Sequence, residues 1–214
     1  MIDPVEVAAR LEQMQATLGG RAAEITVVAV TKAFEFDAIA AAETAGIDVV
    51  GESYAQECIA KLEGRTIGPA VHFIGRLQRN KVRRLAALVD VWQSVDRPEL
   101  VDEIAKRAPG ASVMIQVDIS NEPQKGGCPP ADLSRLLDRA RESGLVVAGL
   151  MGIGPIGEPE LARPGFARLR RLVDDHGLES CSMGMSADLS VAVEEGTTMV
   201  RVGTTLFGPR PPRG

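Results

Sequence analysis

The sequence predicts a (β/α)₈ TIM barrel formed as a single domain over residues 1–214. Three observations predict it. Short apolar or β-branched runs alternate with longer stretches of helical periodicity, the pattern of a parallel sheet with crossover helices. Eight such units fit into 214 residues, which suits a compact barrel better than an open sheet. No linker, internal repeat or low-complexity segment divides the chain.

An opening helix is expected from roughly Pro4 to Leu18. Strands are then expected near 25–31, 47–51, 71–75, 90–94, 112–118, 145–151, 178–182 and 198–203. The helices between them fall near 36–45, 53–62, 79–87, 97–107, 130–143, 159–176 and 188–195. Asp37 and Asp132 stand where early-turn or capping acids belong. Gly46, Gly144, Gly177 and Gly196 each follow a helical stretch, where a left-handed cap residue is expected. Pro98 suits a first helical turn. The proline-rich end, 209–214, reads as an extended, mobile tail.

Composition narrows the function classes. Lys plus Arg number 24 and Asp plus Glu 29, a formal charge of −5, so nothing favours a nucleic-acid partner. Arg83-Arg84 and Arg170-Arg171 lie in helical stretches and read as solvated faces. Cys58, Cys128 and Cys181 are odd in number and form no C-x-x-C, which points to a reducing compartment. His72 and His176 are too few and too far apart for a metal site. No basic-then-apolar leader and no membrane-length apolar run is present. The expectation is a cytoplasmic protein. Aromatics make up only 3%, so aliphatic residues must fill the core.

In a barrel, function gathers at the C-terminal ends of the strands. Lys32 ends the apolar run Ile25–Thr31 and stands at the tip of the first strand. A lysine there can form an imine with an aldehyde, because burial lowers its pKa and frees its lone pair. It can equally be a solvated strand end. Ser182-Met183-Gly184-Met185-Ser186 follows strand 7, and Gly203-Thr204-Thr205 follows strand 8. Small residues let backbone N–H groups approach an anion and hydroxyls add donors, so the two turns together favour a phosphate cup. Alternation in Met199-Val200-Arg201-Val202-Gly203 puts Met199, Arg201 and Gly203 on one side of the strand. If that side is inward, Arg201 is a fixed cation in the mouth, able to face a ring nitrogen. The other reading is an ion pair with Glu52 or Asp118. His72 reads as a core or rim histidine, and Met151, Met183 and Met185 as packing around a ligand. Tyr54 fits either the mouth or the core surface.

An imine-forming lysine, a phosphate cup and an arginine for a ring nitrogen are requirements of pyridoxal 5′-phosphate (PLP). The chain resembles the pyridoxal phosphate homeostasis protein family (YggS-like or PROSC-like), which shares the alanine racemase N-terminal barrel. The segments that carry the resemblance are Ala29–Lys32, Gly51–Glu57, His72–Lys81, Lys125–Gly127, Gly149–Met151, Ser182–Asp188 and Val200–Gly208. The resemblance implies a PLP-dependent fold type III barrel without the C-terminal β-domain. It implies that Lys32 holds the cofactor as a Schiff base, that Ser186, Gly203 and Thr204 bind phosphate, and that Arg201 faces the pyridine nitrogen. Ser53, His72, Met151, Ser182, Met183, Gly184 and Met185 complete the expected cofactor-binding set. Many relatives have Asn where Ser53 stands, Arg76 occupies a variable position, and Gly152-Ile153-Gly154-Pro155 is unusually glycine-rich.

Two functions follow from the resemblance. One is a protein that holds PLP and buffers or delivers it, with PLP-dependent apo-enzymes as partners. The other is a racemase or decarboxylase. Racemisation needs proton donors and acceptors on both faces of the substrate carbon. In racemases of this barrel type the second base is a tyrosine from an added β-domain. Here the chain ends just after strand 8 and its one tyrosine is Tyr54. The expectation is therefore a carrier without dedicated turnover, acting as a monomer.

Overall fold

The computed structural model describes residues 1–210 as a closed barrel of eight parallel strands in the order β1 to β8, with β8 paired back to β1. The strands are β1 (Thr26–Val30), β2 (Val49–Glu52), β3 (Ala70–Phe73), β4 (Val91–Val95), β5 (Ser112–Gln116), β6 (Val146–Met151), β7 (Ser180–Ser182) and β8 (Met199–Val202). The helices are α1 (Pro4–Leu18), α2 (Phe36–Thr44), α3 (Ala55–Leu62), α4 (Val82–Leu85), α5 (Pro98–Arg107), α6 (Leu133–Glu142), α7 (Arg163–Asp175), α8 (Leu189–Glu194) and α9 (Thr204–Phe207). Of the tail expected at 209–214, residues 211–214 lie outside the described residues.

All eight expected strands occur, most of them shorter than the apolar runs suggest. In the run 112–118 the strand ends at Gln116; the Val117 N–H still donates to the Met151 carbonyl of β6 at 2.9 Å, and Val117 also bridges to Cys128 in its own loop. The run 178–182 gives only Ser180–Ser182. Three expected helices begin as 3₁₀ turns, at Arg79–Lys81, Pro130–Asp132 and Pro159–Ala162. Prolines open two of these turns, where their missing N–H costs nothing. The expected helix at 79–87 keeps only the four α-helical residues of α4. A 3₁₀ stretch at Gly19–Glu24 and the short α9 were not anticipated.

The cap residues sort by mechanism. Gly46, Gly144, Gly177 and Gly196 have φ of 78°, 76°, 60° and 85°, the left-handed region that glycine enters without a Cβ clash. Pro98 opens α5. Asp37 lies in the first turn of α2 but accepts from the Ile2 N–H, and Asp132 pairs with Arg135, so neither caps its helix. The cap of α1 comes from Asp3, whose carboxylate accepts from the Val5 N–H at 2.9 Å.

The core has two layers. The larger lies between strands and helices and includes Ala29, Val50, Phe73, Trp92, Val113, Cys181 and Val200. The smaller fills the lumen with Val28, Met114, Met151 and Met199. Flexible Met side chains suit that irregular space in a chain with few aromatics. The opening helix α1 packs on α2, α8 and α9 and so straddles the junction of the first and last strands.

Candidate functional site

Alternation carries inward faces up to the mouth. Val28 lies in the lumen, so Val30 and then Lys32 follow on the same side. Lys32 is half-buried and occupies a tight turn. The Phe34 N–H donates to the Thr31 carbonyl at 3.1 Å, and Ala33 has φ 65°. A left-handed alanine is strained, and the neighbouring helix holds it there. The Ala33 N–H donates to Glu57 of α3 at 2.8 Å. Lys61, also on α3, donates to the Thr31 carbonyl at 2.7 Å and to Glu52 at 2.8 Å, while the Thr31 hydroxyl donates to Glu52 at 2.7 Å. The peptide groups on both sides of Lys32 are thus pinned by α3.

Glu52 faces the helices, not the lumen, and is fully buried. Burial pushes its carboxyl above the usual range, with Lys61 pulling the other way. Glu52 therefore does not pair with Arg201. Nor does Asp118, whose carboxylate accepts from the Ser120 and Asn121 N–H groups.

Arg201 shares the inward side of β8 with Met199, the side that alternation alone left open. It is 4% exposed and makes two hydrogen bonds, from Nη1 to the Ser182 hydroxyl at 2.6 Å and from Nη2 to the Gly152 carbonyl at 2.8 Å. Both acceptors are neutral. Burial lowers its pKa to about 10, and the charge of Asp188 offsets this only in part. From Ser182 a polar chain crosses the lumen. The Ser182 hydroxyl reaches Gln93 Oε1 at 2.8 Å, and Gln93 Nε2 reaches His72 Nδ1 at 2.7 Å. Burial lowers the His72 pKa to about 4.

The remaining expected residues divide. The Ser186 and Thr204 hydroxyls lie 3.3 Å apart on the outer rim, with Gly203 beside them. The first N–H groups of α9 follow Gly203 and have no partner within the helix. A Cβ on Gly203 would stand 3.0 Å from the Val30 carbonyl, so any side chain here would crowd β1. Met151 reaches the lumen, and Ser53 is half-buried in the segment after β2. Met183 instead packs outward beside Cys181, and Gly184, at φ 94°, lets its backbone touch Ala192 of α8. The Met183 side chain and the close approach of Gly184 to α8 thus support the turn from behind. Met185 is 37% and Tyr54 40% exposed at the rim. Arg76 is exposed.

The glycine-rich loop after β6 has a packing reason. A Cβ on Gly152 would come within 2.6 Å of Ile119, and one on Gly154 within 2.9 Å of Ala162. That close packing brings the Gly152 carbonyl to Arg201. Lys125 then ties two loops together, donating to Glu122 at 2.8 Å and to the Gly154 carbonyl at 2.6 Å. Gln93 and Lys61 fall outside the segments that carry the resemblance, and Glu57 and Lys125 lie within them with no role expected of them. Lys61 left a signal, since it falls three residues after Cys58 on the buried face of α3. A groove of about 660 Å³ between α5 and α6 lies apart from this mouth, and its arginines are already paired with Asp96, Asp132 and Asp102.

Known proteins place this geometry. The family described as "Alanine racemase, N-terminal domain" matches residues 2–211. A pyridoxal phosphate homeostasis protein of Pseudomonas aeruginosa is 38% identical over 214 residues, 96% of this chain and 93% of the relative. One from Aquifex aeolicus is 44% identical over 178 residues, 77% of this chain and 78% of the relative. Among solved structures, PipY of Synechococcus elongatus with PLP bound superposes with a TM-score of 0.83 at 32% identity, covering 94% of this chain and all of PipY. With a match along almost its whole length and a closed eight-stranded barrel to go with it, the chain belongs to the pyridoxal phosphate homeostasis proteins of the alanine racemase N-terminal domain family.

Proposed function

We propose that this protein holds pyridoxal 5′-phosphate on Lys32 at the barrel mouth and takes part in PLP homeostasis as a holder or donor of the cofactor. The observation that carries this is Arg201, a buried cation whose hydrogen-bond acceptors are both neutral and whose burial the more distant charge of Asp188 offsets only in part. Such a charge is costly unless a further acceptor faces it, and a ring nitrogen is an acceptor of the right kind. PLP supplies an aldehyde that condenses with an amine with loss of one water, a phosphate, and that pyridine nitrogen. Lys32 offers the amine from a turn held by Glu57 and Lys61. Arg201 donates to the ring nitrogen and keeps it unprotonated. Ser186, Gly203 and Thr204 bind the phosphate with hydroxyl and backbone donors. Gly51 keeps the lumen beside Val28 open, since a Cβ there would stand 2.8 Å from that side chain.

The names of the relatives and the PLP-bound PipY support this reading. It carries with it a cytoplasmic location, PLP-dependent apo-enzymes as recipients and a monomer as the working unit. The three cysteines are free and buried, which suits a reducing compartment. No helix among the described residues is long and apolar enough to cross a membrane.

Borohydride reduction followed by peptide mass mapping tests the site. Wild-type protein incubated with PLP is expected to carry one cofactor-sized adduct on Lys32, and Lys32→Ala none while keeping its circular dichroism. An adduct on another lysine, or none, overturns the assignment. Racemisation of alanine at the rate of a dedicated racemase overturns the holder role and leaves the cofactor in place.

A further inference from the structure

The polar chain across the lumen has a direction that the chemistry of its members forces. A guanidinium can only donate, so at 2.6 Å the Ser182 oxygen accepts from Arg201. The single Ser182 proton must then go to its other neighbour, Gln93, at 2.8 Å. That neighbour is therefore the amide oxygen. The amide nitrogen consequently faces His72 Nδ1 at 2.7 Å and the Met199 sulfur at 3.1 Å. His72 Nδ1 must accept, so the ring carries its proton on Nε2. Burial, which drives the His72 pKa to about 4, keeps Nδ1 free to accept. Every hydrogen bond in the chain points away from Arg201, and the amide of Gln93 links its two halves, accepting through its oxygen and donating through its nitrogen.

We propose that Gln93 is a positioning residue for Arg201: anchored by His72 and Met199, its amide turns the Ser182 hydroxyl so that its oxygen receives the guanidinium. Gln93 sits on β4 and belongs to none of the segments that carry the family resemblance. Without its oxygen, the Ser182 proton is released to point elsewhere, including at Arg201 itself. The Gly152 carbonyl would then hold the guanidinium alone, and the ring-facing donors would lose their aim. This inference rests on the cofactor reading above.

The test compares Gln93→Leu, Ser182→Ala and the double variant with wild type, each titrated with PLP and then reduced with borohydride. Each single variant is expected to keep the Lys32 adduct, weaken PLP binding about tenfold and shift the absorption maximum of the bound cofactor. The double variant is expected to bind no worse than the weaker single, since both remove the same link. A Gln93→Leu protein with wild-type affinity and absorption overturns the proposal, as does simple additivity in the double variant. Gln93→Glu, of the same size, separates aim from packing and serves if the leucine variant does not fold. It keeps an oxygen for Ser182 but presents an oxygen to His72 Nδ1. It is expected to bind PLP like wild type while the His72 ring titrates at higher pH by NMR. Gln93→Glu that binds as poorly as Gln93→Leu, with His72 unmoved, assigns Gln93 to packing alone. Loss of the Lys32 adduct in wild type itself would instead defeat the cofactor reading.

Discussion

His72 shows how a single buried side chain makes stability depend on pH. Its folded pKa is about 4 against an ordinary 6.5, so the unfolded chain binds its proton first as pH falls. A lowered pKa gives stability that is present above pH 6.5 and lost as pH falls toward 4, about 3 kcal/mol in all. Denaturant midpoints measured across that window should fall in wild type and fall less in His72→Gln. Gly184 makes a second residue-level case. At φ 94° with Ala192 only 2.5 Å from where a Cβ would stand, Gly184→Ala should cost about 2 kcal/mol or more in urea unfolding. The sequence showed that Arg201 shares a strand side with Met199 and that Lys32 ends the first apolar run, and it left the direction of each open. Gln93 was not legible. Within Val91-Trp92-Gln93-Ser94-Val95 it reads as an ordinary polar strand residue, and its partners His72, Ser182 and Met199 come from other strands. Only closure of the barrel brings them together.

Among the elements, α3 does more than cover β2. Its first turn supplies Glu57 to the Ala33 N–H, and its last supplies Lys61 to the Thr31 carbonyl. One short helix thereby sets the turn that presents Lys32. The buried Lys61–Glu52 pair is part of this. Removing one partner strands the other charge, so Lys61→Met should cost about 3–5 kcal/mol, and adding Glu52→Leu should recover most of that loss. Chemical denaturation of the two variants side by side checks it. Ala33→Gly, which relieves the left-handed strain, should stay within about 1 kcal/mol of wild type. The elements themselves were legible from periodicity, but their ends were not. Val117, just past the end of β5, still donates to Met151 and also bridges to Cys128 of the following loop, a pairing that no single stretch of sequence displays. Likewise α9 is a single turn of four residues, too short to show a period.

At the scale of the whole molecule, the two-layer core shelters every thiol. Cys58, Cys128 and Cys181 are free and buried, and burial pushes each thiol up to about 12. Native protein at neutral pH should therefore resist iodoacetamide, and all three should react together at the rate of global unfolding. Parallel labelling and unfolding time courses would show it. The barrel itself was legible from eight repeats of one pattern, whereas the polar crossing of the lumen was not. The ring also has a history built into it. Thr26 pairs with Met199 and Val28 with Arg201, the two ends of the sheet in sequence. While the chain is being synthesised, β1 has an unpaired edge until β8 emerges. Such distant pairing makes closure slow. Lys32 leaves the ribosome well over a hundred residues ahead of Arg201, so the place where they meet cannot form until the ring has closed.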